Sequence, residues 1–308
     1  MKPITNLDEL IENLKGNQPR KVVVAAGHDE NTIEACHKAA VEKIALVALV
    51  GDKKKIDKLC VEKKLDMDVF EIIDEKDEVK AGTMARNMVR NKEGDCLMKG
   101  LIATDKYMKL ILDKEEGLLT KGNVLSHITV IDSPYYQKTH KKLLFVGDVA
   151  VIPLPDLQAK IKILEYLIDA AHKFGIEKPK AAILTANEKV SDKMPSTIDA
   201  AIITKMADRG QIKGAIVDGP LALDVAISKE ACDIKGLKSA VDGDADILVF
   251  PSIEAGNIFY KGVTHLGGSR LAAVVAGTTA PCILTSRADD EESKFFSIAL
   301  GLRLCNKD

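Results

Sequence analysis

Short apolar runs alternate with amphipathic stretches along most of this chain. Runs at 21–26, 44–50, 70–73 and 96–100 are each followed by a stretch with apolar residues at three- and four-residue spacing. The spacing predicts helices over 7–14, through Cys36 and Ala40, and over 56–64, 78–89 and 105–112. Strands that are apolar along their length, not merely on one face, belong to a sheet covered on both sides. Regular alternation of strand and helix predicts a mainly parallel α/β sheet.

Two more strands are predicted at 126–131 and 143–152. The segment between them carries Pro134, two tyrosines and a basic run at 138–142, and reads as a loop with a boundary nearby. After Asp156, Leu157, Ile161, Leu164, Ile168 and Ala171 mark a strongly amphipathic helix that Gly175 closes. A second α/β set follows, with strands at 181–185, 214–218 and 246–250. Its helices span 196–209 with Ser196 as cap, a stretch after Gly219-Pro220, and a stretch ending near His265. The run 272–276 is apolar without a decisive period. The run 280–284 reads as a buried strand, and 293–302 as the last helix. The fold class is therefore α/β, with two α/β domains, mainly parallel sheets and an interdomain active-site cleft. The expected domains are 1–148 with 286–308, the last helix returning to the first, and 149–285, which is expected to dimerise.

Composition narrows the function. At 308 residues, 46% apolar and 29% charged, the chain has the size and balance of an ordinary soluble protein of roughly two domains. A net charge of −2 gives no broad basic surface, and 4% aromatics without tryptophan argue against stacked-base recognition, so no nucleic acid is expected. The six cysteines contain no C-x-x-C pair and the six histidines no H-x-x-x-H pair, which predicts reduced thiols and no metal site. With no leader pattern and no apolar run near about 18 residues, the expected location is cytoplasmic, with no membrane.

Ligands of open α/β sheets sit beyond the carboxyl ends of strands. Those positions here carry glycine and small polar groups: Gly27-His28-Asp29, Lys99-Gly100, Asp218-Gly219-Pro220, Pro251-Ser252 with Gly256-Asn257, and Thr285-Ser286-Arg287. Ser286 and Arg287 stand between a strand and a helix start, where free N–H groups and a partial positive charge favour an anion. The guanidinium fork suits phosphate. The plain alternative is a helix cap beside a surface ion pair. Similar alternatives attach to the others. Asp218 suits a turn, Asn257 a cap, Lys99 a solvated strand end, 138–142 an exposed charge run, and His28 and His127 satisfied polar positions. No G-x-G-x-x-G, P-loop or G-x-S-x-G pattern is present.

Three segments jointly resemble the phosphate acetyl/butyryltransferase family: 218–224 (DGPLALD), 249–261 (VFPSIEAGNIFYK) and 284–289 (LTSRAD). Upstream, 98–104 (MKGLIAT) and 125–127 (LSH) resemble its butyryltransferase branch. The resemblance covers most of the chain in the same order. It implies the phosphotransacetylase and isopropylmalate-dehydrogenase-like fold and reversible transfer of a short acyl group between coenzyme A and phosphate. The implied substrates are acyl-CoA, inorganic phosphate and acyl phosphate, with coenzyme A as substrate, no bound cofactor and a homodimer. It puts Ser286, Arg287 and Asp289 in catalysis, and Asn257, Gly256, Ser252, Lys261, Asp218, Gly219 and Lys99 in substrate binding. Two departures stand out. The aspartate that follows the family's serine by seven residues in the acetyl branch is Ser293 here, which leaves Asp289, Glu292 or another group as proton acceptor. An arginine of the acetyl branch's A-G-N helix is His265. The competing readings are an acetyl-specific enzyme and a non-catalytic acyl-CoA or acyl-phosphate binder.

Overall fold

A computed structural model of the chain describes residues 2–285 and 290–305. Its strands are β1 (Arg20–Ala25), β2 (Ala45–Gly51), β3 (Phe70–Asp74), β4 (Cys96–Lys99), β5 (Ser126–Asp132), β6 (Leu144–Gly147), β7 (Lys180–Leu184), β8 (Ile216–Leu221), β9 (Ile247–Val249), β10 (Arg270–Ala276) and β11 (Cys282–Ile283). The chain divides into two compact units. The first holds Leu7–Leu125 and Leu271–Asp308, and the second Met1–Asn6 and Ser126–Arg270.

In the first unit the strands lie in the order β3-β2-β1-β4-β11-β10. All neighbours are parallel except β10, which runs antiparallel to β11. Central β1 is buried from Val22 to Ala25. Asp29, Asp52 and Asp77 each cap the helix that follows a strand, accepting hydrogen bonds from its first-turn N–H groups. Such caps are each worth about 0.5–2 kcal/mol. The last helix, Glu291–Leu304, is buried from Lys294 to Leu302, as an element apolar on all sides must be.

In the second unit the order is β5-β6-β9-β7-β8. β5 and β6 are antiparallel, and the other pairs are parallel. The mainly parallel α/β expectation therefore holds within each unit. The boundaries differ from 148/149 and 285/286. β6 pairs with both β5 and β9, which keeps 126–148 in the second unit. β11 pairs with β10 and β4, which draws 271–285 into the first. Residues 2–6 also join the second unit, where Ile4 N donates to Phe174 O at 2.9 Å.

The segment expected as a loop before β6 is instead a helix, Pro134–His140, capped by Ser133. Proline at the first helical position is favourable because its missing N–H would have had no partner there. The helix is anchored by buried Tyr136, whose hydroxyl donates to Ala245 O at 2.6 Å. The end of the basic run is fastened as well, since Lys142 pairs with Asp244 at 2.7 Å and Asp246 at 3.0 Å. Ser196 is not a cap. It follows Pro195, which opens its helix. The indecisive run 272–276 is strand β10. Among the described residues no helix is long and apolar enough to cross a membrane.

Tyr136→Phe leaves the Ala245 carbonyl without that donor in a buried place. It should lower the unfolding free energy by about 1–3 kcal/mol, measured by urea denaturation.

Candidate functional site

The first unit presents the carboxyl ends of β1, β4 and β11 as neighbours. Cys282 stands opposite Leu97 and Ile283 opposite Met98, so the chain leaves β11 beside Lys99 and Gly100. Ser286, Arg287 and Asp289, the expected catalytic residues, lie outside the described residues. Their frame is described. Upstream, Thr285 is 5% exposed, and its Oγ1 is buried with no hydrogen-bond partner among the described residues. Downstream, Asp290 caps the last helix by accepting from Ser293 N at 2.8 Å. Glu292, the alternative proton acceptor, is exposed.

Lys99 does not fit the reading as a solvated lysine. It is buried, and its Nζ lies 3.3 Å from Gly100 O. Gly100 is required there, because a Cβ would come within 2.4 Å of Ala26 O. The last helix contributes a second buried ammonium. Lys294 Nζ lies 3.1 Å from Thr32 Oγ1 and 3.5 Å from Asp29 Oδ1. Asp29 Oδ1 also accepts from Thr32 N at 3.1 Å, whereas Asp29 Oδ2 is buried with no hydrogen-bond partner among the described residues. Sequence reasoning noted Asp29 only as part of a strand end and did not mark Lys294. The available signal was a single lysine opening an otherwise apolar helical run, 294–302.

His28, next to Asp29, is buried, and its Nδ1 has no hydrogen-bond partner among the described residues, unlike the satisfied histidine expected. Gly51 makes room for the ring, since a Cβ there would lie 2.8 Å from Nδ1. Burial, then Lys55, lowers the His28 pKa against the pull of Glu78, Asp52 and Asp29. The imidazole is neutral at neutral pH. His127 does match the expectation, with Nδ1 at 3.1 Å from Thr129 Oγ1.

In the second unit, Gly256, Asn257 and Lys261 share one helix, Ile253–His265, that starts just past β9 and directly after Ser252. Ser252 is its cap. Gly256 permits close approach to the turn after β6, because a Cβ would sit 2.4 Å from Asp148 O. Asn257 is not a cap. Its Nδ2 donates to Val149 O at 3.1 Å. The same turn is held from inside by Asp148, a residue the sequence reading missed. Asp148 is buried and accepts from Ala150 N at 2.7 Å, Val151 N at 2.8 Å and His127 N at 3.1 Å. This turn ends β6 at Gly147, well before the expected 152. Lys261 is exposed, with Nζ 5.1 Å from the centre of the Tyr260 ring.

Asp218 and Gly219 are not a turn at a strand end. They lie inside β8. Asp218 Oδ2 accepts from Ser239 Oγ at 2.6 Å and Ala240 N at 3.0 Å. A Cβ on Gly219 would come within 2.9 Å of Ile183, so this glycine serves strand packing. These contacts account for both residues without a ligand.

All six cysteines are free and buried. Burial raises the thiol pKa values of Cys36, Cys60, Cys96, Cys232 and Cys282, that of Cys282 to about 12, and a thiol held protonated is a poor nucleophile. Among the described residues no group of His, Cys, Asp and Glu is arranged to hold a metal ion.

Comparison with known proteins places the chain among acyl-transferring enzymes. A model of the phosphate acetyl/butaryl transferase family matches residues 6–87 and 78–302. The chain is 43% identical to a phosphate butyryltransferase of Clostridium acetobutylicum over 298 residues, 97% of each chain. It is 41% identical to a phosphate acetyltransferase of Thermotoga maritima over 295 residues, 96% of this chain and 98% of that one. A crystal structure of a branched-chain phosphotransacylase from Enterococcus faecalis superposes with a TM-score of 0.80 at 31% identity, covering 92% of this chain and 98% of the other.

The Gly256 contact gives a direct test of how the turn after β6 is held. Gly256→Ala drives a methyl into the Asp148 carbonyl. Overpacking of about 1–3 kcal/mol outweighs the gain of up to about 1 kcal/mol from alanine in a helix, so the variant should unfold at lower urea concentration than the parent.

Proposed function

The chain belongs to the phosphate acetyl/butaryl transferase family, and we propose that it transfers a butyryl-like acyl group reversibly between coenzyme A and inorganic phosphate. It is an acyltransferase. The observation that carries the finer reading is similarity along nearly the whole chain to a phosphate butyryltransferase, together with the Thr285-Ser286-Arg287-Ala288-Asp289 segment that follows β11.

In the thioester-forming direction the coenzyme A thiol gives up its proton, and the thiolate attacks the acyl phosphate carbonyl. A C–S bond forms, the C–O bond to phosphate breaks, and the phosphate leaves with the electron pair and finally the proton. Arg287 holds the phosphate through its fork, and Ser286 donates to the oxygen that gains charge. The thiol proton needs an acceptor, for which the sequence offers Asp289 and Glu292. Both substrates react in one ternary complex, and the burial of all six cysteines agrees with a route that has no acyl-enzyme. Ser252, Asn257, Lys261 and Lys99 line the substrates in this reading. Two copies of the chain form a cytoplasmic dimer. Ile258 and Leu266, 72% and 92% exposed, are apolar surface that a second copy would cover.

The reading is tested by phosphate-dependent release of free thiol from acyl-CoA, followed with a thiol reagent. Butyryl-CoA should be used about tenfold or more better than acetyl-CoA, the scale of one or two methylenes in an apolar pocket. A preference for acetyl-CoA moves the chain to the acetyl branch. Arg287→Lys and Arg287→Ala should both lose about 2–4 kcal/mol in kcat/KM in both directions, because lysine keeps the charge and loses the fork. Near-native rates for Arg287→Lys would place the phosphate elsewhere.

A further inference from the structure

The proton acceptor is the part of the chemistry that sequence leaves open, and the described residues narrow it. Among the acids that open the last helix, Asp290 is spent on the cap and Glu292 is exposed. Asp29 stands differently. It follows β1 on the ligand-facing edge, next to β4, just past which Gly100 N donates to Ala25 O at 2.9 Å. Its Oδ1 is held twice, by Thr32 N and by the buried ammonium of Lys294, which belongs to the helix that follows the Ser286–Asp289 segment. Its Oδ2 is buried and has no hydrogen-bond partner among the described residues.

A helix cap needs one carboxylate oxygen, and so does the ion pair. Neither accounts for the second. A buried acceptor without a donor is uncommon and calls for an explanation. A carboxylate fixed through one oxygen beside a cation, with its second oxygen unpaired among the described residues, has the attributes of a general base. We propose that Asp29 is a catalytic residue that takes the proton of the coenzyme A thiol, with Lys294 as the positioning residue that holds its carboxylate. This rests on the acyltransferase reading and supplies the acceptor it lacks. The balance is simple. Asp29 gains the thiol proton as the thiolate forms the C–S bond, and the protonated acid returns that proton to the departing phosphate. In the reverse direction Asp29 takes a proton from phosphate and gives it to the leaving thiolate. The titratable neighbours of Asp29 are Lys294 on the last helix, His28 beside it and Cys36 on its own helix, whose thiol burial pushes well up.

The test compares the unmodified chain with Asp29→Asn, in both directions, between pH 6 and 9. Asparagine caps helices as well as aspartate does, so the cap survives while the base is lost. With butyryl phosphate and coenzyme A, kcat/KM for coenzyme A should fall by about 10²-fold at pH 7. The loss should shrink by about tenfold per pH unit as the pH approaches about 8.5, an ordinary thiol pKa, because thiolate then forms without help. The unmodified chain should lack that slope, and the KM for phosphate should not change. If the stranded lysine unfolds the variant, Asp29→Asn with Lys294→Met removes it and the same slope is expected. A rate equal to the parent across the range overturns the inference. So does a loss that is the same at every pH, which marks a structural pair. So does the sloping profile appearing in Asp289→Asn, Glu291→Gln or Glu292→Gln. An unmodified chain without phosphate-dependent thiol release overturns the acyltransferase reading as well, whereas normal turnover with an unaffected Asp29→Asn overturns the inference alone.

Discussion

A buried ammonium has to be answered by a carboxylate or by several hydrogen bonds, since burial disfavours the charged form. Lys294 imposes that requirement on the first unit. Among the described residues its ionic partner is Asp29, on the corner after β1, so the first turn of the last helix and the first turn of the helix Glu30–Val41 meet at one point. Removing either partner alone strands the other, which makes the pair hard to lose by single steps. The strand ends nearby are arranged around the same corner. Gly100 lets β4 approach Ala26, and Gly51 clears space for His28.

The second unit solves a similar problem without an ion pair. Asp148 turns the chain after β6 by accepting three backbone N–H groups, and helix Ile253–His265 fastens the turn from outside through Gly256 and Asn257. The A-G-N tripeptide thus has a mechanical role that does not depend on a ligand. A carboxylate satisfied by backbone donors is fixed in direction, and the strand-end loops it controls keep one shape. The two units share a principle, in that an aspartate just after a strand sets the geometry of the edge where ligands of such sheets bind.

Most of the fold was legible because apolar runs of strand length, punctuated by aspartate and glycine, carry a strong local signal. The misreadings have identifiable physical causes. Pro134 and the lysines around it resemble a loop locally, but Tyr136 finds a buried acceptor more than a hundred residues away, and only tertiary structure reveals that. The D-G-P segment has turn composition, yet Gly219 is required by its approach to Ile183 on the adjacent strand. Lys99 and Lys294 look like solvent-facing lysines until their burial is known. The compact units divide at other places than the expected boundaries because β6 and β11 choose partners distant in sequence, and periodicity carries no record of pairing. The candidate site was legible only as a set of strand ends. The contacts that bind Asp29 to Lys294, or Asn257 to Val149, depend on which of those ends are neighbours.

The central claim is that acyl transfer passes directly between coenzyme A and phosphate, with no covalent intermediate on the protein. Isotope exchange tests it most directly. Labelled coenzyme A is incubated with butyryl-CoA and the protein, with and without inorganic phosphate. Direct transfer predicts exchange of label into butyryl-CoA only when phosphate is present, because the free thiol can re-enter only by way of butyryl phosphate. Exchange at a comparable rate in the complete absence of phosphate would reveal an acyl-enzyme and contradict the account.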